Sequence, residues 1–446
     1  MPIPIAVNTA QTLDLLQRYE SRNVTFIAPD GSWPIVWKSA KGCHVRDAEN
    51  RRYLDLTAAF GVAAAGHANP AVVRAGQRQM ASLLHAMGDV HPHELKARLA
   101  RELSRRTFER WTPAAARTHG KVLFANSGFE AVEAALKTAR LATGKAEIIA
   151  FENAYHGLGY GALNATHRAL FRAPFENQLR AFGHFVPFPE QTQGQDSDIL
   201  DRLEVSLRKI FRRKPIGAVL AEPIQARAGI ILPPKSFLPL LRDLCREFGA
   251  LLILDEIYTG FGRTGSWFAC EHSAVCPDLI CLGKALTGGF PLSACVGRAD
   301  VMDAAWPASE GEAIHTSTFL GHPVGCAMAL AQIRQLQIRR LPERAAEVGK
   351  RLAEGLRAIE QATSSGNVRA RARCIGLMGG LELRDRQDQP AGPAALRVVQ
   401  RLLAQGFVFL PEGNQGEVIS LTPPLTIPEK ELSRALAALG KEISLC

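Results

Sequence analysis

Between about residues 120 and 300 the chain repeats one pattern: a nearly unbroken apolar run, a polar or glycine-containing turn, then a segment whose apolar positions recur with helical period. KVLFAN (121–126), EIIAF (147–151), IGAVLAE (216–222), ALLILDE (250–256), DLICLG (278–283) and LSACVG (292–297) read as strands. Runs this continuously apolar suit strands covered on both faces. Between the first two, EAVEAALKTARLA places Val132, Ala135, Leu136 and Ala139 on one helical face, at i, i+3, i+4 and i+7. Such alternation predicts an α/β fold with a mostly parallel sheet flanked by helices.

Downstream the texture changes. VGCAMALAQIRQLQ and a second helix from PERAAEV make a long helical stretch over about 324–361. CIGLMGGLEL, GFVFL and EVISLTPPLTI then read as strands, separated by helical AALRVVQRLLAQ and closed by EKELSRALAALG. Three parts are expected: an N-terminal arm and hairpin over 1–60, with strand-like GCHVRD and YLDL, ahead of the main sheet; a large domain over 61–325; and a connector helix with a small α+β domain over 326–446.

Composition narrows the class. With 446 residues, 47% hydrophobic and 22% charged, the chain is an ordinary folded protein rather than a disordered, collagenous or coiled-coil one. Its 53 Lys and Arg against 43 Asp and Glu leave +10. The densest basic runs are Arg212-Arg213-Lys214, Arg339-Arg340 and alternating Arg369, Arg371 and Arg373. These fall short of a nucleic-acid tract, and aromatics at 7% supply few stacking platforms. Nine scattered cysteines with no Cys-x-x-Cys pair match neither a disulfide framework nor a zinc ribbon. No metal is expected. The N-terminus has no signal character, and no apolar run reaches a membrane span. Reduced, buried thiols and a cytoplasmic location are therefore expected.

Three motifs carry candidate chemistry. In NSGFEAVEAALKTAR a strand ends at Asn126-Ser127-Gly128 and a helix starts at once, which is a ready anion site and equally an ordinary helix cap. LLILDEIYTGFGRTG ends an apolar strand in Asp255 and Glu256. Its Gly260 to Gly265 stretch matches G-x-G-x-x-G by letter, but the glycines do not come straight off the strand and no clean helix follows, so a flexible turn is preferred to a dinucleotide fingerprint. In CLGKALTGGFPLSACVGR, Lys284 leaves an apolar strand into a glycine-rich turn, where lost hydration would favour a nucleophilic amine over an ordinary surface lysine. Together an anion cradle, a strand-end carboxylate and a desolvated lysine suit pyridoxal 5'-phosphate: phosphate anchored, ring nitrogen kept protonated, aldehyde held by the amine.

At this point the sequence resembles the class III (subgroup II) pyridoxal-phosphate aminotransferases, which include 4-aminobutyrate, ornithine and ω-amine aminotransferases. The resemblance runs from about Asp47 to the C-terminus through NSGFEAVEAALK, AYHG, AEPIQ, LDEIYTGFGRTG, LGKALTGGFPLSA and HTSTFLGHPVGCAMAL, in that order. It implies a fold-type I homodimer that moves an amino group between an amine or amino acid and a 2-oxo acid by a ping-pong mechanism, without nucleic acid or membrane. Lys284 matches the Schiff-base lysine and Asp255 the aspartate at the ring nitrogen. Ser127, Gly128 and Phe129 match the phosphate turn. Many relatives have Ser or Thr where Phe129 stands, so only its backbone N–H is expected to serve. Tyr155 matches the aromatic that stacks on the ring, with His156 following it. Glu222 of AEPIQ is expected to contact the cofactor. Tyr258 stands where some relatives place a glutamine near the ring hydroxyl. Thr318 matches a threonine that reaches the phosphate of the neighbouring subunit, and His322 holds a place often given to Asn.

Substrate-facing positions depart from the family. Where some relatives have a carboxylate-binding Arg after the His-Gly of the stacking motif, this chain has Leu158. Their glutamate just after Glu-Pro-x-Gln, paired with a switching arginine, corresponds here to Arg227 and Ser420. Arg227 is expected to bind a substrate carboxylate. Related racemases of this fold carry an acidic residue at the Arg227 position, a role an arginine cannot fill at neutral pH. Racemase or aminomutase activity is the same-fold alternative, and a non-catalytic pyridoxal-phosphate protein the alternative of another class.

Overall fold

The computed structural model describes residues 8–29, 31–112, 118–191 and 194–446. Its strands form three sheets. The first begins with a hairpin-like trio, β1 (Trp37–Lys41), β2 (His44–Asp47) and β3 (Arg52–Asp55). The second holds β4 (Gly120–Ala125), β5 (Glu147–Phe151), β6 (Gly183–Val186), β7 (Ile216–Ala221), β8 (Leu251–Asp255), β9 (Leu279–Leu282) and β10 (Ser293–Arg298). The remaining strands are β11 (Arg369–Ile375), β12 (Met378–Arg384), β13 (Phe407–Val408), β14 (Leu410–Glu412) and β15 (Val418–Leu421).

The large sheet has the order β4-β10-β9-β8-β7-β5-β6. Only β10 runs antiparallel to its neighbours; the other pairings are parallel. All six residues of β7 and all four of β9 are buried, as continuous apolar runs between two helical layers require. The helix Gly128–Thr143 presents Ala131, Val132, Ala134, Ala135 and Ala139 to Ile148, Ala218, Ile253 and Cys281 of the sheet. Small side chains let the helix lie close to the sheet.

Three features escape the apolar pattern. The edge strand β6 is GHFV, half-buried through its first three residues, so it lacks the unbroken apolar character of the inner strands. CIGLMGGLEL is split by a tight turn at Gly376, φ +55°, and completes a hairpin of β11 and β12 rather than one strand. GFVFL is also split: β13 pairs in parallel with β3, whereas β14 pairs with β15. The N-terminal hairpin thus shares a sheet with a strand more than 350 residues later in the chain.

Two of the three basic runs are explained locally. Arg212 and Arg213 close the helix Asp196–Arg213, where cations complement the helix dipole. Arg369 and Arg371 reach Asp388, and Arg373 reaches Glu190 and Glu382. None of the described helices is long and apolar enough to cross a membrane.

The helix Leu341–Ala362 crosses the β11–β12 turn at Gly349, where an added Cβ would stand 2.3 Å from the Gly376 carbonyl oxygen. An alanine inside a helix is normally worth about 0.5–1 kcal/mol over glycine. Here the backbone approach reverses the sign: Gly349→Ala should lower stability by about 1–3 kcal/mol, read as a fall in denaturation midpoint.

Candidate active site

The parallel strands β5, β7, β8 and β9 end along one edge, and each delivers its chemistry at or just past its last residue: Tyr155 and His156, Glu222, Asp255, and Lys284. This is the edge where open α/β sheets gather ligand groups. Asp255 and Cys281 are register partners, so Lys284, three residues further along β9's exit, lies near the carboxylate strand despite its distance in sequence. Tyr155, His156, Glu222, Arg227, Asp255, Tyr258 and Lys284 line a cavity of about 430 Å³, with Gly128 and Phe129 at one side.

Asp255 is buried, and both its carboxylate oxygens are engaged. One accepts the backbone N–H of Ile257 at 3.1 Å and the other meets His156 Nδ1 at 2.8 Å. Burial alone would hold the His156 imidazole below its ordinary range, but the hydrogen bond and charge of Asp255 carry it above. Its backbone N–H is fixed on Thr166 Oγ1 at 2.9 Å, and its Nε2 is buried without a partner. The buried Asp255 carboxylate therefore faces a hydrogen-bonded imidazole in place of water. The adjacent Glu256 points elsewhere: fully buried, it accepts from Thr259, Ala269 and Cys270.

Glu222 ties two loops together, accepting from the Tyr155 N–H at 2.8 Å and the Ala226 N–H at 3.1 Å. Burial, partly offset by His156, pushes its carboxyl up to about 7. Lys284 takes a positive φ of +31° in a single 3₁₀ turn, a strained conformation for a non-glycine residue. Its Nζ lies 4.1 Å from the centre of the Tyr258 ring. Burial pushes its ammonium down, against the pull of Asp255 and Glu222, which favours the free amine. The Tyr258 hydroxyl pairs with Thr422 Oγ1 at 3.1 Å, and its ring is backed by a left-handed turn at Ala58, Ala59, Phe60 and Gly61 that nothing in the sequence pattern signals.

At the anion cradle, Glu130 gathers the backbone N–H groups of Asn126 and Ser127 and the Ser127 hydroxyl. Ser127 therefore caps the helix and does not line the cavity, whereas Gly128 and Phe129 do. First-turn N–H groups have no intrahelical acceptor and favour an anion. The Phe129 side chain packs under the 155–159 loop: an added Cβ on Gly157, φ +108°, would stand 2.3 Å from Phe129 Cβ. Thr318 is exposed in a turn away from this cavity. His322 Nδ1 accepts the Val324 N–H at 3.2 Å and caps the helix Pro323–Ile338, a service asparagine also performs. The Gly260 to Gly265 turn is a packing device. Arg263 is fully buried and donates to the Leu377 and Pro423 carbonyls, Gly265 lies against Ala346, and only a 3₁₀ turn, Ala269–Ser273, follows.

Arg227 lies with its guanidinium 5.2 Å from the centre of the Tyr155 ring, and its Nε is 3.4 Å from Glu412 of β14. Sequence reasoning missed Glu412, because nothing in LPEGNQGE marks one glutamate over another. Among the described residues no cluster of His, Cys, Asp and Glu is placed to hold a metal.

The buried Asp255, the amine-favouring Lys284, the first-turn N–H groups and the unpartnered His156 Nε2 suit pyridoxal phosphate, and fold and site define a pyridoxal-phosphate-dependent transferase of fold type I. Residues 26–443 match the class-III aminotransferase family, to which the chain belongs. It is 38% identical to the acetylornithine aminotransferase of Methanopyrus kandleri, over 92% of this chain and 94% of that one. It is 35% identical to the 5-aminovalerate aminotransferase of Pseudomonas aeruginosa, over 92% and 93%. An amine transaminase structure from an uncultivated Pseudomonas species, in pyridoxal-phosphate-bound form, superposes with TM-score 0.86 at 28% identity, covering 96% of this chain and 99% of that one. The protein is a transaminase with pyridoxal 5'-phosphate as cofactor.

Glu222 gives a pH signature. Its folded-state value, about 7, lies above the ordinary 4.5, so the folded form binds the extra proton and stability falls as pH rises through that window. The loss amounts to at most about 3 kcal/mol. In the cofactor-free protein, Glu222→Gln should flatten the fall in melting temperature between pH 5 and 7.5; an unchanged slope would assign the pH dependence elsewhere.

Proposed function

We propose that this transaminase exchanges an amino group between an amine or amino acid and a 2-oxo acid in two half-reactions, with Lys284 and Asp255 as catalytic residues. The observation that carries the reading is the convergence of a desolvated lysine and an imidazole-backed carboxylate in one cavity at the strand ends. Bound there, pyridoxal phosphate supplies an electron sink and carries the amino group between the two substrates.

The chain's own residues divide the work. The N–H groups of Gly128 and Phe129 would hold the phosphate, with no hydroxyl from Phe129 to assist. Asp255 would hold the ring nitrogen, with the His156 imidazole hydrogen-bonded behind it. Tyr155, fixed by Glu222 through its backbone N–H, and Tyr258 would line the ring. Lys284 Nζ would anchor the cofactor through its aldehyde. In turnover it takes the proton from the amine-bearing carbon of the donor and returns one to the carbonyl-derived carbon of the acceptor. Arg227 takes a substrate carboxylate.

We read the active unit as a homodimer in which Thr318, in an exposed turn beside exposed Phe319 and Ile314, reaches the phosphate of a second copy. Nine free cysteines, most of them buried, support a reducing cytoplasm.

Lys284→Ala should abolish turnover, by at least about 10³-fold, and lose the visible absorbance of covalently held cofactor. Retained absorbance would place the linkage on another lysine. Arg227→Gln should raise KM for 2-oxoglutarate and pyruvate about tenfold, the loss of roughly one charge-assisted contact; an unchanged KM for every carboxylate substrate would end that assignment.

A further inference from the structure

Glu222 holds Tyr155 by its backbone, accepting the N–H at 2.8 Å, whereas the direction of the Tyr155 ring is set by packing. Phe171 meets that ring edge-on, with centres 5.5 Å apart and planes at 66°, an arrangement the aromatic quadrupoles favour. The Arg227 guanidinium stands over one face, 5.2 Å from the centre, within reach of a cation–π contact. With an edge against Phe171 and a face under Arg227, the ring keeps one face for a planar ligand. Phe171 is placed in its turn by Arg168, one turn earlier in the short helix Ala169–Arg172 and its N-cap, whose guanidinium carbon lies 5.6 Å from the centre of the Phe171 ring.

A helix of four residues does not hold its place alone. This one is fastened from outside. The His167 N–H donates to the Ala154 carbonyl at 3.0 Å, and Arg168 donates to the carbonyls of Gly413 at 3.1 Å and Asn414 at 3.3 Å. The Gly413 N–H then donates to the Arg227 carbonyl at 3.1 Å. The contacts close into a ring: Tyr155 to Phe171, Phe171 to Arg168, Arg168 to the 413–414 turn, the turn to Arg227, and Arg227 back to Tyr155. Burial and the charge of Arg227 both work against a charged Arg168, so the two carbonyls and the Phe171 ring are what offset the cost of a second guanidinium there. We propose that Phe171 and Arg168 are positioning residues for the cofactor: Phe171 fixes the tilt of the Tyr155 ring, and Arg168 fixes Phe171 by tying its helix to the 413–414 turn. This rests on the reading of Tyr155 as the aromatic against the cofactor ring. A Tyr155 ring without its edge contact is free to turn, and a planar ligand lying on it loses both shared surface and a fixed angle.

The test reads the bound cofactor as well as turnover. Pyridoxamine 5'-phosphate makes no bond to Lys284, so its Kd for the full chain stripped of cofactor reports the stack and the phosphate cradle. In the pyridoxal-phosphate holoenzyme, visible circular dichroism reports the angle at which the ring is held. Phe171→Ala should raise that Kd about two- to tenfold, the worth of one aromatic pair, and shrink or shift the circular dichroism band while the visible absorbance stays. Phe171→Tyr keeps the edge contact and should restore both. Arg168→Gln should move both in the same direction by a smaller factor. Phe175→Ala, in the same segment with its ring 6.1 Å from that of Tyr160, should leave both unchanged. In a Tyr155→Ala background, Phe171→Ala should add nothing to the Kd. An unchanged Kd and band in Phe171→Ala, an equal effect of Phe175→Ala, or an undiminished effect in the Tyr155→Ala background would each overturn the proposal. Tyr155→Ala with the wild-type Kd and band would instead strike at the stacking reading; a changed Tyr155→Ala with a silent Phe171→Ala would strike at the positioning proposal alone.

Discussion

The contact between His156 Nδ1 and Asp255, 2.8 Å long and sealed from water, is the one on which the rest of the site depends. A carboxylate buried in that position needs partners in place of its lost hydration. The imidazole supplies one, and the structure around it is arranged to hold the imidazole still. Its backbone is pinned on Thr166, whose hydroxyl donates in turn to the Gly157 carbonyl. That fixes the loop carrying Tyr155, and Glu222 fastens the same loop to the end of β7. Support of this kind behind a reacting group is what keeps its geometry within the tolerance catalysis needs.

A second constraint comes from the sheet. Parallel strands with a common edge bring Glu222, Asp255 and Lys284 together although they are far apart in sequence. Burial past the end of β9, helped by Arg227, then pushes the Lys284 ammonium down against the pull of Asp255 and Glu222. The glycine-rich stretch after Asp255 serves the same end from below: Arg263, buried against two C-terminal carbonyls, locks the turn after β8 to the segments that carry β12 and β15. The reaction site and the C-terminal strands are therefore mechanically joined.

Much of this was legible in the chain because it is local. The inner strands are continuous apolar runs, and the phosphate turn, the strand-end aspartate and the lysine are each written within a few residues. β6 was not legible, since an edge strand of GHFV has too little apolar character to announce itself. The splitting of GFVFL between two sheets was hidden as well, because strand partnership depends on a hairpin more than 350 residues upstream. His322, where the resemblance places asparagine, caps the helix Pro323–Ile338 through its Nδ1. The basic runs at 212–214 and 369–373 are spent on a helix end and on carboxylates along β11 and β12.

By itself the sequence determined the α/β architecture and the cofactor, because each follows from short-range periodicity and from motifs whose chemistry is contained in them. Only the tertiary structure decided the rest. It separated Asp255 from Glu256, set His156 behind Asp255, moved the Ser127 hydroxyl out of the cradle and onto Glu130, and put Glu412 against Arg227. These outcomes depend on side-chain direction and on contacts between distant segments, where burial sets the worth of a charge and where a glutamate in a loop becomes distinct from every other glutamate only by what it faces.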